Sequence, residues 1–233
     1  MRAAFATYLV KRGRFDDGLR LWNSLTLAEK KESLVAASPL ISDLISAFRY
    51  HDAMAIWNEI APGPAYVASD GHLIDRGFED NLSHGPGAVF GWQVQSNSQV
   101  QIGIDAAQGH TGSRSLRLYF QVRSHIDTIN VSQLVPVKPN TQYDFECYVK
   151  TERLESAETP VILIVNAVDE AGLAGSAAPN GTNDWQRVAL SFKTGDKSEA
   201  IRVKMVRNSC AESPVCPIFG TVWYDDFDLK SRQ

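Results

Sequence analysis

The sequence predicts an α + β chain in which the two kinds of structure occupy separate domains, helical hairpins followed by an antiparallel β-sandwich or jelly roll. Three observations support this prediction. Two N-terminal segments repeat each other with helical spacing, later segments alternate apolar and polar residues with the period of strands, and turn residues separate those strands. The predicted parts are helices at 1–64, a linker at 65–75 and the sandwich at 76–233.

The helical part contains an internal repeat with an offset of 35 residues, in which residues 14–25 align with 49–60. Trp22 corresponds to Trp57, and the apolar positions around them are spaced by three and four. That spacing places them on one face of a helix. We therefore expect both tryptophans to be core residues rather than ligand contacts.

Capping residues divide this part into short helices. Gly13 is expected to end a first helix, because glycine readily adopts the left-handed conformation found there. Thr26 and Glu29 form a capping box that begins another. Ser38 and Pro39 are expected to provide the N-cap and first position of a third.

The repeat length and residues 13–19, Gly-Arg-Phe-Asp-Asp-Gly-Leu, resemble the tetratricopeptide family. This resemblance implies paired helices and a protein partner bound through them. Two repeats are too few for a stable solenoid. We expect them either to pack on the β-domain or to end a longer helical array, and we expect the chain to be a fragment of a longer protein.

Composition excludes some functions. A net charge of -4 and a pI near 5.7 argue against nucleic acid as a partner, because binding phosphates requires a basic surface. No stretch contains the roughly 20 apolar residues of a membrane span. A secretory signal is also not predicted, because Lys11 and Arg12 interrupt the apolar start of the chain.

The β part contains seven runs with strand character, separated by turns that include residues 172–183. These runs are 115–122, 127–137, 141–149, 161–168, 185–193, 201–207 and 221–229. Seven or more strands without intervening helices are typical of a sandwich or jelly roll.

An ordered set of motifs in this part resembles the carbohydrate-binding modules of families four, nine and twenty-two. The motifs are Gly-Phe-Glu-Asp at 77–80, Gly91-Trp92, 112–116, 135–143, 184–188 and Tyr-Asp-Asp-Phe at 224–227. The resemblance implies a galactose-binding-like sandwich that binds carbohydrate in the cell envelope or outside the cell. Related sandwiches also serve as protein-contact domains, so a scaffold that has lost sugar binding is the alternative.

The resemblance also implies a structural calcium ion, held by Glu79 and by Asp225 or Asp226 with backbone carbonyls of 109–113. Strict alternation places four residues of the last strand on one face, namely Trp223, Asp225, Phe227 and Leu229. Asp225 would then be a partly buried carboxylate, which requires a metal or hydrogen-bond partners. The alternative is a carboxylate capped by backbone N–H groups or by an arginine.

Sugar recognition uses flat aromatic faces together with planar polar side chains. The residues predicted to bind a ligand lie at non-core strand positions: Arg117, Tyr119, Gln121, Glu146, Tyr148, Asn166 and Arg207. The alternative for each is an ordinary solvated position. Trp92 and Trp185 match family positions that pack the core, and we expect them there.

The remaining chemistry is sparse. Cys147 is expected to be buried, whereas Cys210 and Cys216 flank a five-residue loop and form either a disulfide or two free thiols. A disulfide would place the domain outside the cytoplasm. The histidines are scattered, and adjacent carboxylates such as Asp225 and Asp226 point to opposite sides of a strand, so we predict no enzyme.

Overall fold

The computed structural model describes residues 2–80, 82, 89–95, 98–122, 131–208, 210 and 215–232. The described helices are α1 (Arg2–Lys11), α2 (Phe15–Asn23), α3 (Leu27–Glu32), α4 (Leu34–Ser46) and α5 (Tyr50–Ile60), followed by a 3₁₀ turn at Pro64–Tyr66. The described strands are β1 (Gln93–Val94), β2 (Val100–Asp105), β3 (Ser115–Val122), β4 (Val131–Pro136), β5 (Gln142–Glu155), β6 (Val161–Asn166), β7 (Gly172–Ala177), β8 (Gly181–Lys193), β9 (Ala200–Val206) and β10 (Ile218–Ser231).

The sequence repeat is also a structural repeat. Arg14 and Arg49 precede α2 and α5 with nearly the same backbone angles, φ -88° and ψ 60° against φ -90° and ψ 64°. Each donates its backbone N–H to an equivalent carbonyl, of Leu9 and of Leu44, at 2.9 Å in both cases. Gly13 follows α1 with a φ of +75°, as the capping rule predicts.

Most details of the helical prediction are confirmed. Trp22 and Trp57 are buried, and Thr26 forms its capping box with Glu29. The predicted helix start at Ser38 and Pro39 is wrong, because α4 begins at Leu34 and contains that proline. A proline there removes one backbone hydrogen bond near the start of a helix that packs against α1 and α5.

The strands form two antiparallel sheets, as predicted. The first sheet has the order β1-β4-β9-β6-β7, and the second has the order β2-β3-β10-β5-β8. Their apolar faces enclose one core. Three described strands, β1, β2 and β7, were not predicted; β7 lies in the expected turn at 172–183 and consists mainly of small residues that pair with β6. Residues 127–130 of another predicted strand lie outside the described residues.

The helices pack on the first sheet. Their core includes Leu134, Ala167 and Ala200 from that sheet or its loops, and the Tyr50 hydroxyl donates to the Ala167 carbonyl at 2.9 Å. His51 Nε2 lies 2.9 Å from Asp70 Oδ1 and adds a polar contact beside this core. The outward face of the second sheet therefore lies on the side of the sandwich away from the helices.

The segment predicted as a linker is packed as well. Ile74 exchanges two hydrogen bonds with the side chain of buried Gln133, at 2.7 and 2.9 Å. Ala68 and Leu73 are buried, and the Asn58 amide binds the backbone of Ala68. These contacts make residues 65–75 a fixed connection between helices and sandwich. Of the helices that the structure describes, none has both the length and the apolar character of a membrane span.

Candidate functional site

The two segments at the ends of the β part meet in space. The Phe227 N–H donates to the Arg76 carbonyl at 2.9 Å, and Arg76 Nη1 lies 2.8 Å from Asp228 Oδ1. The rings of Phe78, Trp92 and Phe227 form one cluster, with centroids 4.9 to 5.6 Å apart. The segments of Glu79 and Asp225, which the family resemblance assigns to one site, are therefore in contact, and the segment around Phe78 is an irregular turn.

A β-bulge changes which residues of β10 face outward. Asp225 pairs with Tyr148, whereas Asp228 pairs with Glu146, and Asp226 between them has a φ of +50°. The prediction that Trp223 and Asp225 share a face with Phe227 is therefore wrong. Trp223 and Asp225 lie on the outward face of the second sheet, because the bulge inserts one residue before Phe227 turns into the core.

Asp225 is fully buried despite its outward direction. Its carboxylate accepts the backbone N–H of His110 at 2.6 Å and that of Asp226 at 2.7 Å. Burial raises the pKa of Asp225 to about 6, and the two N–H donors oppose that rise. This is the capped carboxylate that the sequence left open as the alternative to a metal ligand.

Three carboxylates converge on Gly77. A Cβ built on this glycine would lie 3.6 Å from Asp225 Oδ1, 3.8 Å from Asp226 Oδ1 and 3.8 Å from Glu79 Cγ. Carboxylate oxygens are the donors that calcium prefers. In the described part of the chain, however, no group of three or more acidic, histidine or cysteine side chains has an arrangement that could hold a metal ion. Calcium stays a prediction.

The side chains of Asp226 and Glu79 already have protein donors. Thr111 Oγ1 donates to Asp226 Oδ1 at 2.6 Å, and His110 Nδ1 lies 2.6 Å from Asp226 Oδ2. The Ser113 N–H donates to Glu79 Oε1 at 3.2 Å. The loop between β2 and β3 therefore contacts all three carboxylates that were predicted to hold calcium.

A cavity of about 580 Å³ opens beside these carboxylates. Its lining combines acidic side chains with Arg76 and the ring of Tyr148. The acidic members are Asp75, Glu79, Glu146, Asp226 and Asp228. The cavity thus connects the meeting point of the two end segments with the outward face of the second sheet.

Five of the predicted ligand residues lie together on that outward face. Arg117, Tyr119 and Gln121 alternate with buried residues along β3, and Glu146 and Tyr148 do so along β5. Strand β10 separates the two groups, so the strands that carry them lie roughly 10 Å apart. Tyr119 pairs with Thr221 and Tyr148 with Asp225, so the two tyrosines are also offset along the sheet. We call Arg117, Tyr119, Gln121, Tyr148 and Trp185 the platform.

Local contacts orient the platform residues. Gln121 donates to the hydroxyl of Tyr119, and Arg117 Nη1 lies 3.8 Å from Asp105 Oδ2. Glu146 forms an ion pair with Arg187, whose hydrogen bond lowers the pKa of that carboxyl. Glu146 is therefore held by a neighbouring cation, whereas the planar groups on β3 face solvent.

Trp185 was expected in the core, and that expectation is wrong. Its half-buried ring lies on the outward face, 5.8 Å from the ring of His110 and 6.0 Å from Lys150 Nζ. His110 in turn stacks on Tyr148, with centroids 3.6 Å apart. The alternation of β8 could have predicted the outward position of Trp185, because Trp185 and Arg187 alternate with core-facing Val188 and Leu190. Trp92 is buried as expected.

The remaining two predicted ligand residues lie elsewhere. Asn166 ends β6 in the first sheet, where its amide holds the following turn through Val168 and Ser198. Arg207 is 2% exposed, and its guanidinium donates to the carbonyl oxygens of Glu158 and Cys216 at 2.9 Å. Both side chains serve the fold, and the structure does not bring them to the platform.

The cysteines follow one of the two alternatives. A disulfide joins Cys210 to Cys216, whose Cα atoms are 5.6 Å apart. Arg207 holds the second of these residues through its carbonyl oxygen and sulfur. Cys147 is buried and free, and burial raises the pKa of its thiol.

Comparison with solved structures supports the fold. A carbohydrate-binding module of family 4 matches with a TM-score of 0.51 and 11% identity, over 69% of this chain and 100% of the module. A family 61 module in complex with β-1,4-galactotriose matches with a TM-score of 0.48 and 14% identity, over 70% of this chain and 100% of the module. A Stig cyclase from Fischerella sp. TAU matches with a TM-score of 0.49 and 13% identity, over 71% of this chain and 98% of the cyclase chain. Of these three, the family 4 module has a TM-score above 0.5 and supports the fold, and an identity of 11% concerns the fold alone.

The family is shown by sequence. No curated protein matches the chain. The helical residues before 70 lie outside the family match, so the tetratricopeptide resemblance is not confirmed. The family model of the carbohydrate binding domain of families 4 and 9 matches residues 70–208, which is more than half of the chain. The chain therefore belongs to this carbohydrate binding domain family.

Proposed function

We propose that this protein is a non-catalytic module that binds a poly- or oligosaccharide on the outward face of its second sheet. The observation that carries the proposal is the platform itself, which groups two aromatic rings on β3 and β5, a third on β8 and planar polar side chains on β3. Aromatic faces contact the C–H groups of a pyranose, and amide and guanidinium groups reach its hydroxyls.

The position of the helices favours sugar binding over the scaffold alternative. They pack on the first sheet, through a core that includes Leu134 and Ala200, and leave the platform side to the ligand. Tyr119, Tyr148 and Trp185 give that face an aromatic character that an ordinary charged surface lacks. Membership of the carbohydrate binding domain family supports the same choice.

The finer parts of the proposal concern the location of the protein, its helices and a metal ion. The disulfide between Cys210 and Cys216 supports an extracytoplasmic location, because such bonds persist in oxidising compartments. Attachment to a helical array and a protein partner for the helices stay predictions. Structural calcium also stays a prediction, with Glu79, Asp225 and Asp226 as its protein ligands.

A glycan array tests the function. The wild-type chain should bind at least one polysaccharide class, in calcium or in chelator, and Tyr148→Ala should bind it more weakly. An aromatic variant far from the platform, Phe5→Ala on α1, is the matched control and should bind like the wild type. Failure of the wild type to bind any class would overturn the proposal and leave the scaffold alternative.

A further inference from the structure

The loop between β2 and β3 contacts both the carboxylates around Gly77 and the platform. Residues 108–113 of this loop contact the two regions through different groups. Ser113 and Thr111 bind Glu79 and Asp226, as described above. Gln108 contacts the platform side, where its side-chain oxygen accepts Lys150 Nζ at 3.1 Å. The loop thus connects two regions that lie on different parts of the sandwich.

His110 is the residue of this loop that touches both regions at once. Its backbone N–H donates to Asp225 Oδ2 at 2.6 Å, and its ring nitrogen Nδ1 lies 2.6 Å from Asp226 Oδ2. The same ring lies parallel to Tyr148, with an interplanar angle of 14° and a centroid distance of 3.6 Å. The backbone bond therefore fixes the loop at His110, the Nδ1 contact holds the imidazole ring, and that ring covers one face of the tyrosine.

This contact determines how the platform is ordered before a ligand arrives. A tyrosine with one face stacked on a fixed ring cannot rotate freely about its side-chain bonds. The edge of His110 also meets the ring of Trp185, with an interplanar angle of 66°. Binding is tighter when the groups that contact the ligand are already held in the bound orientation, because less conformational entropy is lost.

We propose that His110 is a positioning residue of the carbohydrate site, which holds Tyr148 and Trp185 in their binding orientation while Asp225 and Asp226 hold His110. This inference rests on the proposed function, since it assigns a role within the same site. It requires no contact between His110 and the sugar. Asp225 and Asp226, which the family resemblance assigns to a structural calcium site, thereby also support the platform.

Two substitutions separate the stacking contact from the hydrogen bond. His110→Phe keeps a flat ring against Tyr148 and loses the bond to Asp226, whereas His110→Gln keeps a polar group for Asp226 and loses the ring. The affinity of His110→Gln and of His110→Ala for the glycan that the array identifies should fall about three- to tenfold. The affinity of His110→Phe should fall less than that of His110→Gln, because the stacked ring is kept although the bond that fixes its plane is lost. Phe5→Ala on α1, outside this loop and the platform, is the control and should bind normally.

Titration calorimetry gives these affinities, and the NMR signals of the Tyr148 ring report its stacking without any ligand. Those signals should move in His110→Gln and return toward the wild-type position in His110→Phe. The positioning role is overturned if His110→Gln and His110→Ala bind like the wild type while Tyr148→Ala binds weakly, and the proposed function then stands. If the wild type binds no glycan, both proposals fail together. Normal binding by His110→Gln with weak binding by His110→Phe would also contradict the stacking role.

Discussion

Arg76 and Phe227 share a backbone hydrogen bond of 2.9 Å, in which the Phe227 N–H donates to the Arg76 carbonyl. The bond joins the segment that enters the sandwich to the strand that completes it. Beside it, Phe227 packs edge-on against Phe78, Trp92 and Phe145. This aromatic cluster closes one end of the core, directly beneath the carboxylates and the loop that support the platform.

Removal of the Phe227 ring should strongly destabilise the protein. We expect Phe227→Ala to lower the free energy of unfolding by about 3 to 5 kcal/mol, because the ring is fully buried among other aromatics. Urea denaturation followed by circular dichroism measures this loss. Phe5→Ala is the control, since that ring is 53% exposed, and it should change the same quantity by less than about 1 kcal/mol. Equal effects of the two substitutions would contradict the assigned core.

Gly112 should not tolerate a side chain. Its φ is +65°, and an added Cβ would overlap the carboxylate of Glu79. The backbone conformation alone costs about 1 to 2 kcal/mol for any other residue, so Gly112→Ala should lose at least that much stability. Gly103→Ala is the matched control, because its Cβ would meet nothing within 4 Å. A Gly112→Ala variant as stable as Gly103→Ala would show that this loop is arranged differently.

Asp225 should make stability depend on pH in the mildly acidic range. Its folded pKa of about 6 exceeds the value of about 3.9 for a free Asp, so its protonated form favours the folded state. The contribution is fully present below about pH 4 and is lost as the pH rises through 6, with a total of about 2 to 3 kcal/mol. We expect the stability of the wild type relative to Asp225→Asn to fall over that interval, measured by urea denaturation in chelator. A constant difference between the two proteins would contradict the burial of this carboxylate.

Calcium, if it binds as the family resemblance implies, should raise the melting temperature. A ligand present at 100 times its dissociation constant and bound only by the folded state adds about 2.7 kcal/mol. For a chain of this size, that corresponds to about 5 °C or more. Differential scanning calorimetry with calcium and then with chelator measures the shift, and Glu79→Gln should reduce it. An unchanged melting temperature would contradict a calcium site at these carboxylates.

The sequence predicted the sandwich and four of the five platform residues, because β3 and β5 keep strict alternation. Arg117, Tyr119 and Tyr148 face outward wherever that period is unbroken. The bulge at Asp226 was not predictable in the same way, since a positive φ at an aspartate has no composition signal comparable to glycine. One inserted residue moved Trp223 to the outward face.

Two further differences arise from long-range structure. Asn166 was grouped with the platform because its strand alternates, but β6 pairs with β9 in the first sheet, and strand order is not contained in a local pattern. Arg207 is polar and follows a strand, yet it is buried, and its guanidinium donates to the carbonyls of Glu158 and Cys216. Burial of an arginine depends on partners that are distant in sequence.

The central claim is that carbohydrate binds on the platform, and the indole N–H signals of the five tryptophans test it most directly. In a ¹H–¹⁵N spectrum recorded during titration with a glycan from the array, the Trp185 signal should shift in proportion to occupancy. The signals of Trp22 and Trp57, which are buried in the helical core, should stay in place. Shifts at Trp22 or Trp57 with an unmoved Trp185 would place the ligand on the helical side and contradict the claim.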